Sequence, residues 1–268
     1  MTKAGKSTLG NVLLGQDPFC QNCSFAWCGE SDSCTKETSF AIGNWLGDDN
    51  GPLFTVVDTP GFGDSDGETT QNIEEMVDVL HDVVKTSNGI MLLVKMADNS
   101  FTFAEGLVSM VRDMTMLFGE DMWEHAIIGV SYWHYDQGAI DERDKKCGDG
   151  YPESMCHNEE WAQKEVNRQL SEKLRFNVSL DIVFIDSQSQ FPSEIDDPLQ
   201  QQYFKQETQK LLDFLKSGED FSFRTINDII NENEECKVEN KRLHDIIDES
   251  LDNLNRLGKI KLSLLLFA

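Results

Sequence analysis

The chain has 268 residues, enough to bury a core of its own and to form one substantial domain plus an extension. It carries 48 acidic against 23 basic residues, a formal charge of −25. Such a surface repels nucleic acid and anionic headgroups, so nucleic acid is excluded as a partner, and a nucleotide needs a local cradle of N–H groups, a lysine and a metal ion.

In chain order, Ser7 to Leu14 reads as a helix. Its start, Ala4-Gly5-Lys6-Ser7-Thr8, matches the second half of the phosphate-binding loop G-x-x-x-x-G-K-[ST]. In that reading the backbone N–H groups of Thr2, Lys3, Ala4, Gly5 and Lys6 ring a β-phosphate at a helix N-terminus. Lys6 spans the β- and γ-phosphates, Ser7 Oγ ligates Mg2+, and Thr8 completes the motif. A Gly-Lys turn ahead of an ordinary helix is the plainer alternative for these residues alone. The first glycine of the loop would fall one residue before Met1, and the strand that feeds it is absent from the sequence. The expectation is a chain cut short, whose sheet lacks its first strand and exposes two strand edges.

Four of the seven cysteines, Cys20, Cys23, Cys28 and Cys34, crowd the next stretch. They contain only one tight pair, so free thiols are expected rather than zinc. The polar segment "SCTKETSF" then offers Thr35, with Thr38 as the alternative, as a hydroxyl that reaches Mg2+. Phe40 to Leu46 alternates as an edge strand, and Leu53 to Val57 is a short apolar run expected to be a buried strand. It ends in Asp58-Thr59-Pro60-Gly61. Asp58 there can hold Mg2+, usually through water, and the Gly61 N–H can meet a γ-phosphate with no Cβ in the way. A β-turn explains D-T-P-G by itself. The order and spacing of G-K-S-T, helix, strand and D-T-P-G favour a nucleotide-binding ancestry.

Further along, Ile73, Met76, Val77, Leu80, Val83 and Val84 fall at helical spacing, as do Leu107, Val108, Val111, Met114 and Phe118. Ile90 to Val94, Ala126 to Ser131 and Ile182 to Ile185 read as strands. Trp161, Ala162, Val166, Leu170 and Leu174 mark another helix, and Leu199 to Leu215 a last one. Alternating strands and helices predict an α/β fold, a mostly parallel sheet with helices on both faces and ligands at the carboxyl ends of its strands. Residues 1–216 form the expected nucleotide-binding domain, and 217–268 a helical extension. Within it, 225–257 carries an apolar stripe that packs back or pairs with a helical or coiled-coil partner. The apolar tail Leu262 to Phe267 is too short to cross a bilayer, which takes about 20 residues.

The stretches Gly5 to Gly15 (G-K-S-T-x-G-N-x-x-L-G), Cys34-Thr35-Lys36-Glu37 and Asp58-Thr59-Pro60-Gly61-Phe62-Gly63-Asp64 resemble the AIG-type, or GIMAP, GTPases of immunity-associated proteins. These are septin- and Toc-related P-loop GTPases with a Ras-like core. The segment 89–131, with its L-L-V, F-T and L-F-G-E anchors, is similar to that family's own box. The resemblance covers roughly residues 1–216. It implies GTP or GDP with Mg2+, a cytoplasmic location on or near a membrane face, and nucleotide-dependent homodimers or oligomers through the GTPase face. Ser7, Thr35 and Asp58 are the implied metal residues.

Three departures from the family pattern shape the expectation. The first strand is missing. The base-reading segment "IIGVSYWHYDQ" places Asp136 one residue late, with Tyr132, Trp133 or His134 as aromatic faces that could stack on a base or simply pack locally. In the last loop Asp186 stands where Asn is common, followed by Ser187 as a base contact. Phe62 occupies the position at which Ras-type enzymes orient water. Slow GTP hydrolysis is therefore expected unless Arg143 or an opposing protomer supplies a polar group. A catalytically impaired paralogue acting as a scaffold is the alternative, and an ATPase is the weakest reading.

Overall fold

The computed structural model describes residues 5–17, 22–26, 35, 37–60, 70–95, 111, 114–147, 158–174, 178–185 and 198–223, and beyond them 228, 229, 231, 235, 237, 238 and 241. The chain divides into two compact units, Met1–Arg224 and Thr225–Ala268.

In the first unit, helix α1 (Lys6–Leu13) starts at Gly5, whose φ of 86° and ψ of 25° are left-handed and suit glycine. Strands β1 (Ser39–Asn44) and β2 (Leu53–Asp58) pair antiparallel, with Phe40 opposite Val57 and Ile42 opposite Thr55. Helix α2 (Thr70–Val79) runs into a π turn at Leu80–Val84. Met76, Val77 and Leu80 of its expected stripe are buried, whereas Val83 is exposed, because the wider π turn carries the later residues off the stripe. Strand β3 (Thr86–Ser87) precedes β4 (Ile90–Lys95). Val111, Met114 and Phe118 are buried at the expected helical spacing, and residues 114–118 are helical. Strand β5 (Ala126–Ser131), helix α3 (Gln137–Lys146), helix α4 (Glu159–Leu174), strand β6 (Ile182–Ile185), helix α5 (Pro198–Ser217) and strand β7 (Phe221–Ser222) complete the unit.

Strands β4, β5 and β6 form a parallel sheet in that order, with Leu93 beside Gly129 and Val130 beside Phe184. Side chains alternate across it. Leu93, Ile127, Val183 and Ile185 join Leu9, Val12 and Leu13 of α1 and Phe204 and Leu211 of α5 in one apolar cluster. Leu92, Val94, Ile128, Val130 and Phe184 face the other way and are buried as well. A sheet buried on both faces needs such near-continuous apolar strands. The parallel α/β core is therefore as read from the sequence.

Among the described residues β1 and β2 form a sheet apart from that of β4, β5 and β6. One expectation is corrected here: β2 is not a buried strand, since Leu53 is 72% exposed. The hairpin turns Phe54 and Val56 inward, where Phe54 packs on Trp45, and leaves Leu53, Phe40 and Ile42 of the opposite face in solvent. The free-thiol expectation also fails at two positions, because Cys23 and Cys147 are disulfide-bonded.

The short β3–β7 ribbon is antiparallel and is too brief to leave a periodic trace in sequence. Asn88 Nδ2 donates to Asp220 Oδ1 at 2.7 Å beside it. In the second unit, residues 228, 229, 231, 235, 237, 238 and 241 are helical; the remainder of 225–257 and the apolar tail lie outside the described residues. Among the described residues no helix is long and apolar enough to cross a membrane.

Candidate metal and phosphate site

Three hydroxyl and carboxylate groups from separate elements meet at the start of α1. Ser7, in the first turn of that helix, donates from Oγ to Asp58 Oδ2 at 2.6 Å. Asp58 is the last residue of β2 and is 5% exposed. Thr35 Oγ1 donates to the same oxygen at 3.1 Å and lies 3.1 Å from Ser7 Oγ. The other carboxylate oxygen, Asp58 Oδ1, is buried with no hydrogen-bond partner among the described residues.

Burial raises the Asp58 pKa; the hydrogen bond from Ser7, the Lys6 charge and the hydroxyl of Thr35 oppose that rise in turn. A buried carboxylate with an orphaned oxygen is costly unless something cationic completes it. Hard oxygen donors suit Mg2+, whose octahedral shell at about 2.1 Å sets neighbouring oxygens about 3 Å apart. The separations among Ser7, Thr35 and Asp58 match that spacing. The residues present therefore fit the ion.

Next to this triad, Gly5 and Lys6 open α1, which brings the helix's first N–H groups and positive dipole end to the same place. Thr8 follows within the first turn and is buried. Thr2, Lys3, Ala4, Gly61 and Ser187 lie outside the described residues, as do Phe62 and Asp186. Thr38, the alternative to Thr35, stands apart: its Oγ1 is buried without a hydrogen-bond partner among the described residues, beside a cavity of about 320 Å³ shared with Glu37, Pro60 and Met76.

Of the three aromatic residues after β5, Trp133 takes the local-packing alternative. Trp133 is 1% exposed and packs on Phe184 with ring centroids 4.5 Å apart, so it belongs to the core. Tyr132 sits at a left-handed φ of 62°. Asp136 caps α3: its Oδ1 accepts the Ala139 N–H at 3.0 Å. That cap explains a helix without an apolar stripe, which periodicity does not reveal. The Arg143 guanidinium lies 4.7 Å from the centroid of Trp133 and 5.9 Å from that of Tyr135. It is engaged by these rings.

Beneath this segment lies a buried carboxylate that sequence reading missed. Glu207 of α5 is 2% exposed. It accepts the Phe184 N–H at 2.8 Å and also the Lys210 ammonium. Burial raises its pKa, and Lys210 and the Phe184 N–H work against the rise. Tyr135 stacks on Tyr203, 4.2 Å between centroids, and its hydroxyl donates to Glu159 at 3.0 Å. Burial and the Glu207 and Glu159 charges push the Tyr135 pKa up. A glutamate at an i, i+3, i+4 apolar spacing with Phe204, Thr208 and Leu211 was the available signal.

Residues 1–132 match the AIG1 family. No curated protein matches the chain. Among solved structures the chain is similar to Toc33 from Arabidopsis thaliana in complex with GDP and Mg2+, with a TM-score of 0.56 and 13% identity over 83% of this chain and 84% of that one. It is also similar to a structure concerning the chloroplast translocon components atToc33 and psToc159, for whose GTPase activity dimerization is important, with a TM-score of 0.55 and 12% identity over 82% of each chain. At such identities the likeness is one of fold, and it agrees with the P-loop α/β architecture. Residues 1–132 of the chain thus resemble the AIG1 family, and the fold described above agrees with a P-loop NTPase α/β architecture.

Proposed function

We propose that this protein binds GTP and GDP with Mg2+, hydrolyses GTP slowly, and self-associates in the GTP form. The observation that carries the reading is the meeting of Ser7, Thr35 and Asp58 beside the N-terminus of α1, with one buried carboxylate oxygen left unpartnered among the described residues. Residues 28 and 51 positions from Ser7 in sequence converge on it. Such a meeting suits a γ-phosphate switch, in which a bound triphosphate strengthens the hold on the hydroxyl of a switch segment.

In this reading Lys6 and the first amides of α1 bind the β- and γ-phosphates, while Ser7, Thr35 and Asp58 hold the ion, Asp58 directly or through water. Bound there, Mg2+ would offset the charge of the phosphate oxygens. The chain's own acidity makes that compensation necessary. Gly61 would donate to the γ-phosphate, and Asp136 and Ser187 would contact the base. Self-association is supported by the relationship to Toc33, whose structural studies concern dimerization.

The test is titration of the full-length chain with GTP, GDP and ATP in Mg2+, alongside Lys6→Ala. Binding of both guanine nucleotides that Lys6→Ala weakens at least tenfold supports the reading. Indifference to all three nucleotides defeats it.

A further inference from the structure

Hydrogen-bond donors gather without acceptors just past the carboxyl end of β5. Arg143 lies seven residues after Asp136, two turns along the same face of α3. Long side chains on a helix lean toward its N-terminus, and the Arg143 guanidinium accordingly reaches Trp133 and Tyr135, ahead of the cap. Glu159, Asp136 and Asp144 are close enough for their charges to act on it. None of the three is hydrogen-bonded or ion-paired to it among the described residues. Glu159 accepts from the Tyr135 hydroxyl instead, and Asp136 Oδ1 from the Ala139 N–H. A half-buried guanidinium, a planar fork of N–H groups, is thus left without an acceptor among the described residues. Trp133 repeats the pattern. It is 1% exposed, and its Nε1 is buried with no hydrogen-bond partner among the described residues. Buried donors are costly to leave unmet, and two at one place mark the position of an acceptor-bearing ligand.

We infer that Arg143 is a specificity-determining residue for the nucleotide base: its fork takes the N7 and O6 edge of guanine and turns adenine away. This rests on the nucleotide reading above. Ligands of open α/β sheets sit outside the carboxyl ends of the strands, where this fork is held. Guanine offers two acceptors on that edge, whereas adenine offers one acceptor and an amino donor. The fork is satisfied by the first and meets a second donor in the other. The two rings hold the guanidinium before any ligand arrives, which lowers the entropy lost on binding. Asp136, an acceptor when ionised, suits the N1 and N2 donors on the opposite edge, so the two residues divide the base between them. The contact acts on binding and leaves the hydrolytic step untouched once nucleotide is bound.

The experiment measures the affinity of the full chain for GTP and for 7-deaza-GTP, in which a C–H group replaces N7, both in Mg2+. It compares the parent with Arg143→Met, whose long apolar side chain still covers the two rings but carries no donor. The parent should bind GTP about tenfold more tightly than 7-deaza-GTP, because the analogue loses one hydrogen bond to a charged donor. In Arg143→Met that ratio should fall to about one. Equal affinities in the parent would overturn the assignment while leaving the nucleotide reading in place, and so would a ratio that survives Arg143→Met. A parent chain that binds neither compound overturns the nucleotide reading itself, and the inference with it. Loss of fold weakens both ligands equally, so the ratio separates base reading from stability, and the parent ratio alone tests the claim if the variant does not fold.

Discussion

Ser7 Oγ and Asp58 Oδ2 are joined by a 2.6 Å hydrogen bond across 51 residues of sequence. The bond ties the start of α1 to the end of β2. Removing it takes away a contact to a charged group, which is typically worth about 1.5–3 kcal/mol, although Thr35 retains its own bond to the same oxygen. Ser7→Ala is therefore expected to lower the stability of the nucleotide-free chain by about 1–2 kcal/mol and to weaken Mg2+-dependent GTP binding by at least tenfold. Denaturant melts and titrations with and without Mg2+ measure both.

Asp58→Asn should separate stability from function. The buried carboxylate is costly without a cation, and its Oδ1 has no partner among the described residues. The amide is nearly isosteric and still accepts from Ser7. The variant should be as stable as the parent without ligand, or more stable by roughly 1 kcal/mol, about 2–4 °C in Tm for a domain of this size. It should show no further stabilisation on addition of GTP with Mg2+, whereas the parent should. A variant that gains as much from the ligand as the parent would contradict the site.

Glu207 sets a pH dependence whose sign is fixed by burial. Its folded pKa is raised above 4.5. The stability linked to the neutral acid is fully present below the unfolded value and is lost as pH rises through the raised folded one. The Glu207→Gln variant cannot ionise at this position. The stability of the parent chain minus that of the variant should therefore fall as pH increases from about 4 toward about 7, measured by urea melts at fixed ionic strength. A difference that is flat with pH would mean the carboxyl is not held as the structure shows.

Arg143 rests over Trp133 and Tyr135, where its guanidinium is occupied by the two rings. Arg143→Ala should cost about 0.5–2 kcal/mol of stability through the lost ring contacts. Single-turnover GTP hydrolysis at a fixed protein concentration should stay within about twofold of the parent. A loss of a hundredfold or more with the fold intact would make the arginine a catalytic group.

Much of the core could be read in advance because burial imposes a period. Val111, Met114 and Phe118, and Ala162, Val166 and Leu170, are buried at helical spacing, and β5 and β6 are continuous apolar runs. Ser7, Thr35 and Asp58 could be nominated because few residue types serve a cation among phosphates, and they do meet. What escaped reading depends on contacts distant in sequence. Leu53 looked like core and is exposed, because only one face of its hairpin is covered. Helix α3 has no buried residues and is announced only by the Asp136 cap. Asn11 and Glu207 are polar residues whose partners, Phe25 and Phe184, are backbone groups, which no side-chain pattern advertises.

The central claim is that hydroxyls of Ser7 and Thr35 and the carboxylate of Asp58 surround one divalent ion alongside a triphosphate. Electron paramagnetic resonance with Mn2+ in place of Mg2+ measures it most directly. In the presence of GTP the parent chain should hold one Mn2+ tightly, and Asp58→Asn and Ser7→Ala should each release it to solution. Equal Mn2+ retention by the parent and both variants, or none by the parent, would contradict the account.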